Sequence, residues 1–221
     1  MPLDLIREPD AEALAHHAAR DVAATIARAR AERGVTNIGL AGGTTPMRCY
    51  ELLDGYVRDW SGVHLWYGDE RCVPFDDPES NHGQVKDRLR APGARWHPMP
   101  ATLGPSEGAI EYSREMGATI LDVIHLGMGP DGHTASLFPN HPALDAHGVA
   151  VGVTDSPKPP PERITLTLPK INESRRIVLL VSGEGKSEAL SRVMAGPDRA
   201  APASLLDRAK LQIMADAAAA P

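Results

Sequence analysis

The sequence predicts a single α/β domain built on a mainly parallel, doubly wound sheet flanked by helices. Three observations carry that expectation. Short apolar runs at 38–41, 63–67, 121–126 and 177–181 alternate with longer segments of helical pattern. Glycine-rich turns follow several of these runs. At 221 residues the chain, taken as 1–221, fits one such domain more easily than two.

Each element has a local reason. Asp10 can cap a helix over 9–33, where Leu14, Ala18, Val22 and Ile26 form an apolar stripe and Gly34 stops the pattern. Residues 38–41 read as a strand that empties into Gly42-Gly43-Thr44-Thr45-Pro46. Pro46 can open the next helix, to about Leu53, because its missing N–H falls among donors that are unpaired anyway. Residues 63–67 form a second strand ending in GDERCVP, and 81–89 and 106–117 read as helices. The strand at 121–126 leads into GMGPDGH. A weak strand near 149–153 precedes SPKPPPE, a stiff exposed loop. Residues 164–168 alternate Ile/Leu with Thr, the pattern of a strand with one wet face. The apolar strand at 177–181 is followed by SGEGKSEAL and a helix, and 211–214 reads as a last strand before an alanine tail. There are no internal repeats, and the segment after the proline-rich loop is too short to be an independent domain.

Composition narrows the function classes. The net charge of −6, from 23 basic and 29 acidic side chains, argues against a nucleic-acid partner, and no Lys/Arg cluster argues for one. An anionic ligand would need a local cluster of donors. The two cysteines, Cys49 and Cys72, lack CxxC spacing and suit a reducing compartment; Cys72 reads as a buried structural thiol. No run approaches a membrane span, and MPLDLIREPDAEALA lacks the apolar stretch of a signal peptide. A cytoplasmic protein is expected, with no membrane partner, as a monomer or weak homodimer.

Four strand ends carry chemistry-bearing residues. In open α/β sheets, ligands bind at that edge. After the first strand, the backbone N–H groups of Gly42 and Gly43, the hydroxyls of Thr44 and Thr45 and a helix N-terminus make a phosphate cradle; without a Walker lysine it is no nucleotide P-loop. An ordinary strand–turn–helix junction would look the same. After the second strand, Arg71 can grip an anion with its planar fork, Asp69 can orient it or touch sugar hydroxyls, and Ser80-Asn81 lie just beyond. A solvated charge run is the competing reading there. After the third strand, Asp131 and His133 sit two residues apart in a glycine-cleared loop, as acid–base equipment would. A lone structural histidine is the alternative. Arg163 and Lys186 matter only if they converge on the glycine turn.

Gly127, Gly129 and Gly132 also satisfy GxGxxG. A dinucleotide site needs a long helix from the third glycine, but Pro139 and Pro142 confine any helix after His133 to about two turns. That match is a decoy. HExxH and GxSxG are absent, and nothing has metal-ligand spacing.

Together the strings GGTTP, GDERCVPFDDPESN, GMGPDGHTASLFP, RITLTLP and GEGK resemble the glucosamine-6-phosphate deaminase/6-phosphogluconolactonase family, collinearly from about residue 38 to 190. The resemblance implies a Rossmann-like sheet that binds no dinucleotide. It also implies hydrolysis of 6-phospho-D-glucono-1,5-lactone in the oxidative pentose phosphate pathway, with a sugar-phosphate lactone as partner and no metal or cofactor. By position, Gly42, Gly43, Thr44 and Thr45 would hold the phosphate, with Lys186 and Arg163 neutralising it. Arg71 would lie against the sugar acid, and His133 would be the general base beside Asp131. Deaminases of the family carry a glutamate five residues after the histidine, where this chain has Phe138. That departure favours the lactonase branch. The competing functions are an amino-sugar-phosphate deaminase or isomerase, and a non-enzymatic sugar-phosphate effector module.

Overall fold

The computed structural model describes residues 4–221. In chain order the elements are β1 (Asp4–Glu8), α1 (Ala11–Arg33), β2 (Thr36–Leu40), α2 (Thr44–Tyr56), β3 (Val63–Tyr67), β4 (Asp69–Arg71), α3 (Asn81–Arg88) and β5 (Arg95–Trp96). Next come α4 (Gly104–Met116), β6 (Val123–Gly127), β7 (Ala150–Val153), β8 (Arg163–Leu166), α5 (Leu168–Glu173), β9 (Ile177–Val181), α6 (Ser187–Ala195) and β10 (Leu211–Asp216). Seven strands form one sheet in the order β1-β10-β9-β6-β2-β3-β5, and every pairing in it is parallel. From β2 the chain steps outward through β3 to β5. From β6 it steps the other way through β9 to β10. The order therefore reverses between β2 and β6, and the crevice at a reversal is where open sheets hold ligands.

The local signals explain the elements. Asp10 accepts the Ala13 N–H at 2.8 Å, and Gly34 ends α1 at φ 74°, a left-handed conformation that glycine adopts without strain. The stripe Leu14, Ala18, Val22 and Ile26 is buried. All five residues of β9 are buried too, as a central parallel strand requires. Helices α1 and α2 pack on each other and over β10, β2, β6 and β9, while α4 packs on β7 and β8. The buried apolar side chains form one contiguous cluster. Among the described residues no helix is long and apolar enough to cross a membrane.

Several readings need correction. Asp69-Glu70-Arg71 is not loop but strand β4, edge partner of β8 in a second, antiparallel sheet of order β4-β8-β7. Strand β8 has no wet face: all four residues are buried, and Thr165 Oγ1 accepts the Ser136 N–H instead of water. After His133 the chain keeps within the two-turn limit set by the prolines, with only a short 3-10 turn at Pro142–Asp145. Residues 134–137 close a tight turn, with Thr134 and Leu137 bridged and Ala135 at φ 48°. Cys72 is only half-buried; burial nonetheless pushes its thiol up to about 11, so it stays protonated. Strands β1 and β5 and helix α5 had no periodic signal long enough to announce them.

One core residue is out of place chemically. His125, in β6, is fully buried, and neither ring nitrogen has a protein partner. Burial depresses its pKa from 6.5 to about 4. The unfolded chain therefore takes up this proton first as pH falls from about 6.5 towards 4, and stability declines across that window. His125→Leu, similar in volume and free of polar atoms, should stabilise by about 1–3 kcal/mol at pH 7. The gain in Tm should widen at pH 5. A Tm lowered at both pH values would mean that the imidazole has a function in the core.

Candidate functional site

The loops after β2, β6, β7 and β9, together with β4, the start of α3 and the start of β8, close around one cleft of about 240 Å³ at the C-terminal edge of the sheet, beside the β2/β6 reversal. Gly42, Gly43, Thr44, Thr45, Asp69, Arg71, Asn81, His133, Arg163 and Lys186 all line it. Asp131 is not in the lining; it stands against His133. The segments picked out along the chain thus converge.

The first wall is the N-terminus of α2. Gly43 precedes the helix at φ 94°, no side chain caps it, and no acid occupies its first turn. The first N–H groups of a thirteen-residue helix are left without a side-chain acceptor, which makes an anion-binding nest. Thr44 and Thr45 belong to the helix's first turn and line the cleft. Gly42 is required by space, since an added Cβ would fall 1.9 Å from Asn81 Oδ1.

The second wall depends on Glu70, which sequence reasoning passed over within a charge run. It is fully buried, and its two oxygens accept the N–H groups of Arg71, Asn81 and His82 at 2.7 Å and the Ser80 hydroxyl at 3.2 Å. Burial pushes its carboxyl pKa up, and the three backbone N–H groups work in the opposite direction. This carboxylate locks the start of α3 onto β4 and so presents Asp69, Arg71 and Asn81 together. Asn81 Nδ2 donates to the Asp69 carbonyl and Oδ1, and Asp69 Oδ2 accepts from Ser136 Oγ at 2.7 Å. Asp69 and Asn81 are thereby buttresses as well as lining.

The third wall carries the dyad. His133 Nδ1 lies 2.5 Å from Asp131 Oδ1. Burial works to raise the Asp131 pKa, but its bonds to His133 prevail and hold it at about 2. An ionised carboxylate at that distance fixes Nδ1 as the protonated nitrogen, leaving Nε2 with the lone pair. Burial lowers the His133 pKa, Asp131 opposes that, and the nearby Lys158 ammonium adds to it. The ring is therefore neutral at pH 7. Phe138 is buried with its ring 5.0 Å from the imidazole, so no carboxylate stands at that position.

Four cations, Arg71, Lys158, Arg163 and Lys186, line the cleft against one carboxylate, Asp69, in a chain of net charge −6. Arg71 and Arg163 are direct cross-strand partners in the β4–β8 ladder, an arrangement of like charges that is destabilising unless an anion lies near. Arg163 is 5% exposed, and its Nε and Nη2 are spent on the carbonyls of Lys158, Pro159 and Pro160. It anchors the SPKPPPE loop as much as it faces the cleft. Lys186 Nζ donates to the Met128 carbonyl at 2.7 Å. Its loop is set by Asp216, which accepts from Ser182 Oγ and the Gly183 N–H. Lys158 and Ser182 are the polar cleft residues the sequence did not reveal. A lysine in a proline-rich loop has no local mark that separates it from a surface cation.

The family model for glucosamine-6-phosphate isomerases/6-phosphogluconolactonase matches residues 9–215. The chain belongs to this family. Among its members, the 6-phosphogluconolactonase of Mycobacterium tuberculosis is 40% identical over 210 aligned residues, covering 86% of this chain and 85% of the relative. The solved 6-phosphogluconolactonase of Shewanella baltica superposes with a TM-score of 0.88 at 29% identity, over 97% of this chain and 98% of that one. A monomeric glucosamine-6-phosphate deaminase of known structure superposes with a TM-score of 0.83 at 23% identity, over 98% of both chains. The family fold is thus common to both chemistries, and the side chains in the cleft must distinguish them.

Proposed function

We propose that this chain hydrolyses 6-phospho-D-glucono-1,5-lactone to 6-phosphogluconate, the cytoplasmic lactonase step of the oxidative pentose phosphate pathway. One observation carries the reading: an uncapped helix N-terminus with cations around it and a neutral His–Asp dyad share one cleft. The family's lactonase relatives support it, as does the phenyl ring of Phe138 where deaminases of the family carry a glutamate.

In this reading the α2 nest and Lys186 hold the phosphate, and Arg71 lies against the sugar acid. His133 Nε2 takes a proton from water as its oxygen attacks C1. The C1–O5 bond then breaks, and the imidazolium returns the proton to O5. Asp131 holds the ring in the required tautomer and steadies its transient charge. A δ-lactone is an activated ester, so no covalent nucleophile is needed, and positioning plus one base suffices.

The test is a pH-stat assay on freshly made lactone, corrected for spontaneous hydrolysis. Protein-dependent acid release supports the reading. Ammonia from glucosamine-6-phosphate without lactone hydrolysis would replace it with the deaminase. Lys186→Ala should raise KM about 10-fold or more with kcat nearly kept, because a remote anchor binds ground and transition states alike. A kcat loss at unchanged KM would move Lys186 into the chemistry.

A further inference from the structure

Lactone hydrolysis needs a group to take up the charge that develops on the carbonyl oxygen. We propose that Lys158 is that group, its ammonium donating a hydrogen bond to the oxyanion. The inference rests on the lactonase reading and goes beyond it by naming a further catalytic residue.

Three of the four cleft cations give at least one donor to a protein carbonyl, and Arg71 keeps a buried Nε without a partner. Arg71 Nη1 donates to the Glu79 carbonyl, Lys186 to the Met128 carbonyl, and Arg163 to three carbonyls of the proline-rich loop. Lys158 alone touches the dyad. Its Nζ lies 3.3 Å from His133 Nδ1 and 3.4 Å from Asp131 Oδ2. Nδ1 already carries the proton given to Asp131, so it cannot accept from an ammonium. The Asp131 contact is long for a hydrogen bond. Lys158 therefore stands beside the base as a charge with donors to spare, in a residue that lines the cleft.

Its position is built. Ser156 Oγ accepts the Lys158 N–H and donates to the Lys158 carbonyl, which also accepts from Arg163 Nη2. Ser156 N–H donates to the Pro161 carbonyl. The backbone beneath the side chain is thus fixed, and the contacts of Nζ with the dyad hold the ammonium beside the base, where a positioned charge can stabilise a transition state.

The charge balance agrees. Before attack, Asp131 and Lys158 sum to zero beside a neutral imidazole. As the water oxygen bonds to C1, its proton passes to Nε2 and the carbonyl π pair moves onto oxygen. Carboxylate, imidazolium, ammonium and oxyanion again sum to zero. When the C1–O5 bond breaks, that pair of charges is discharged, leaving a carboxylic acid that ionises into water. Without Lys158 this set of groups around the dyad would carry one more negative charge at every stage.

Lys158→Met keeps the alkyl stem and removes the charge. It should lower kcat about 10²- to 10³-fold, the cost of losing one oxyanion donor, with KM within about threefold. Lys158→Arg should recover part of the loss. The acid limb of the rate profile should also move to higher pH in the Met variant. The charged groups acting on His133 are Asp131 on its own loop, Lys158 from the proline-rich loop and Asp69 from β4, with Lys186 in the same cleft lining; removing one cation from that set favours the imidazolium. Three results would overturn the assignment. An acid-limb shift with full kcat would make Lys158 a tuner of the base alone. A rise in KM with kcat kept would make it a ground-state anchor. A fall in Tm with loss of both constants, repeated in Lys158→Gln, would make it a strut of its loop. Wild-type protein is assayed alongside: its failure to hydrolyse the lactone would sink the lactonase reading, whereas an active wild type with an equally active Met variant sinks only the role of Lys158.

Discussion

His133→Gln lowers kcat by about 10²- to 10⁴-fold and leaves KM nearly unchanged, if the imidazole is the general base. Gln is chosen because its amide can still donate to Asp131, so the loop keeps its principal bond while the titrating lone pair is lost. The 2.5 Å contact to Asp131 and the half-buried ring make the loss one of chemistry, not of folding, and Tm should stay close to wild type. The wild-type pH profile provides a second check on the same residue. Burial and Lys158 outweigh Asp131 and hold the imidazole below its ordinary 6.5, so the acid limb of kcat/KM should fall below that value. With His133 as the base, activity should be present while the ring is neutral and disappear as pH drops through its pKa. A Gln variant with full turnover, or a profile flat through the acid range, would remove His133 from the mechanism.

Gly129→Ala should cost about 10²-fold in kcat although it deletes no functional group. A Cβ at that position would lie 2.0 Å from His133 Nδ1 and 2.4 Å from Asp131 Oδ1, so the pair must move apart or turn. Gly129 does not have the positive φ of Gly43 or Gly132, and alanine fits its backbone without strain. The substitution is therefore a steric probe of the dyad. Displacement of about 1 Å is enough for a loss of this size when a base must meet a water in line with C1. With Asp131 pushed away, burial acts on the ring unopposed, and the acid limb should move to lower pH. Unchanged kcat in a folded Ala variant would show that the loop relaxes and that the dyad geometry is not critical.

Much of this was legible in the sequence, and the reasons differ by element. Long periodic segments such as α1 and short apolar runs such as β9 announce themselves, because burial of one stripe or of both faces dictates their residue types. The strand-end residues were legible for another reason. Glycines, hydroxyls and paired ionisable groups are unusual where the chain leaves a parallel sheet, and such positions share one edge. What escaped depends on contacts between distant segments. Glu70 looks like part of a solvated charge run until Asn81 and His82 fold onto it. The threonines at 165 and 167 look like a wet face until the loop at 134–137 uses Thr165 as an acceptor. Lys158 acquires meaning only when Arg163 draws in the carbonyls around it. Two-residue β5 is held by pairing with β3 and had nothing of its own to declare.

The bonds from Arg163 to three successive carbonyls have a consequence for anyone altering this protein. One guanidinium serves as hinge pin for the segment that delivers Lys158 and as part of the positive lining, so two traits are inherited through a single codon. Substituting it would weaken ligand capture and unseat a neighbouring ammonium together, and the kinetic damage could not be apportioned between them. Epistasis between positions 163 and 158 is the direct result.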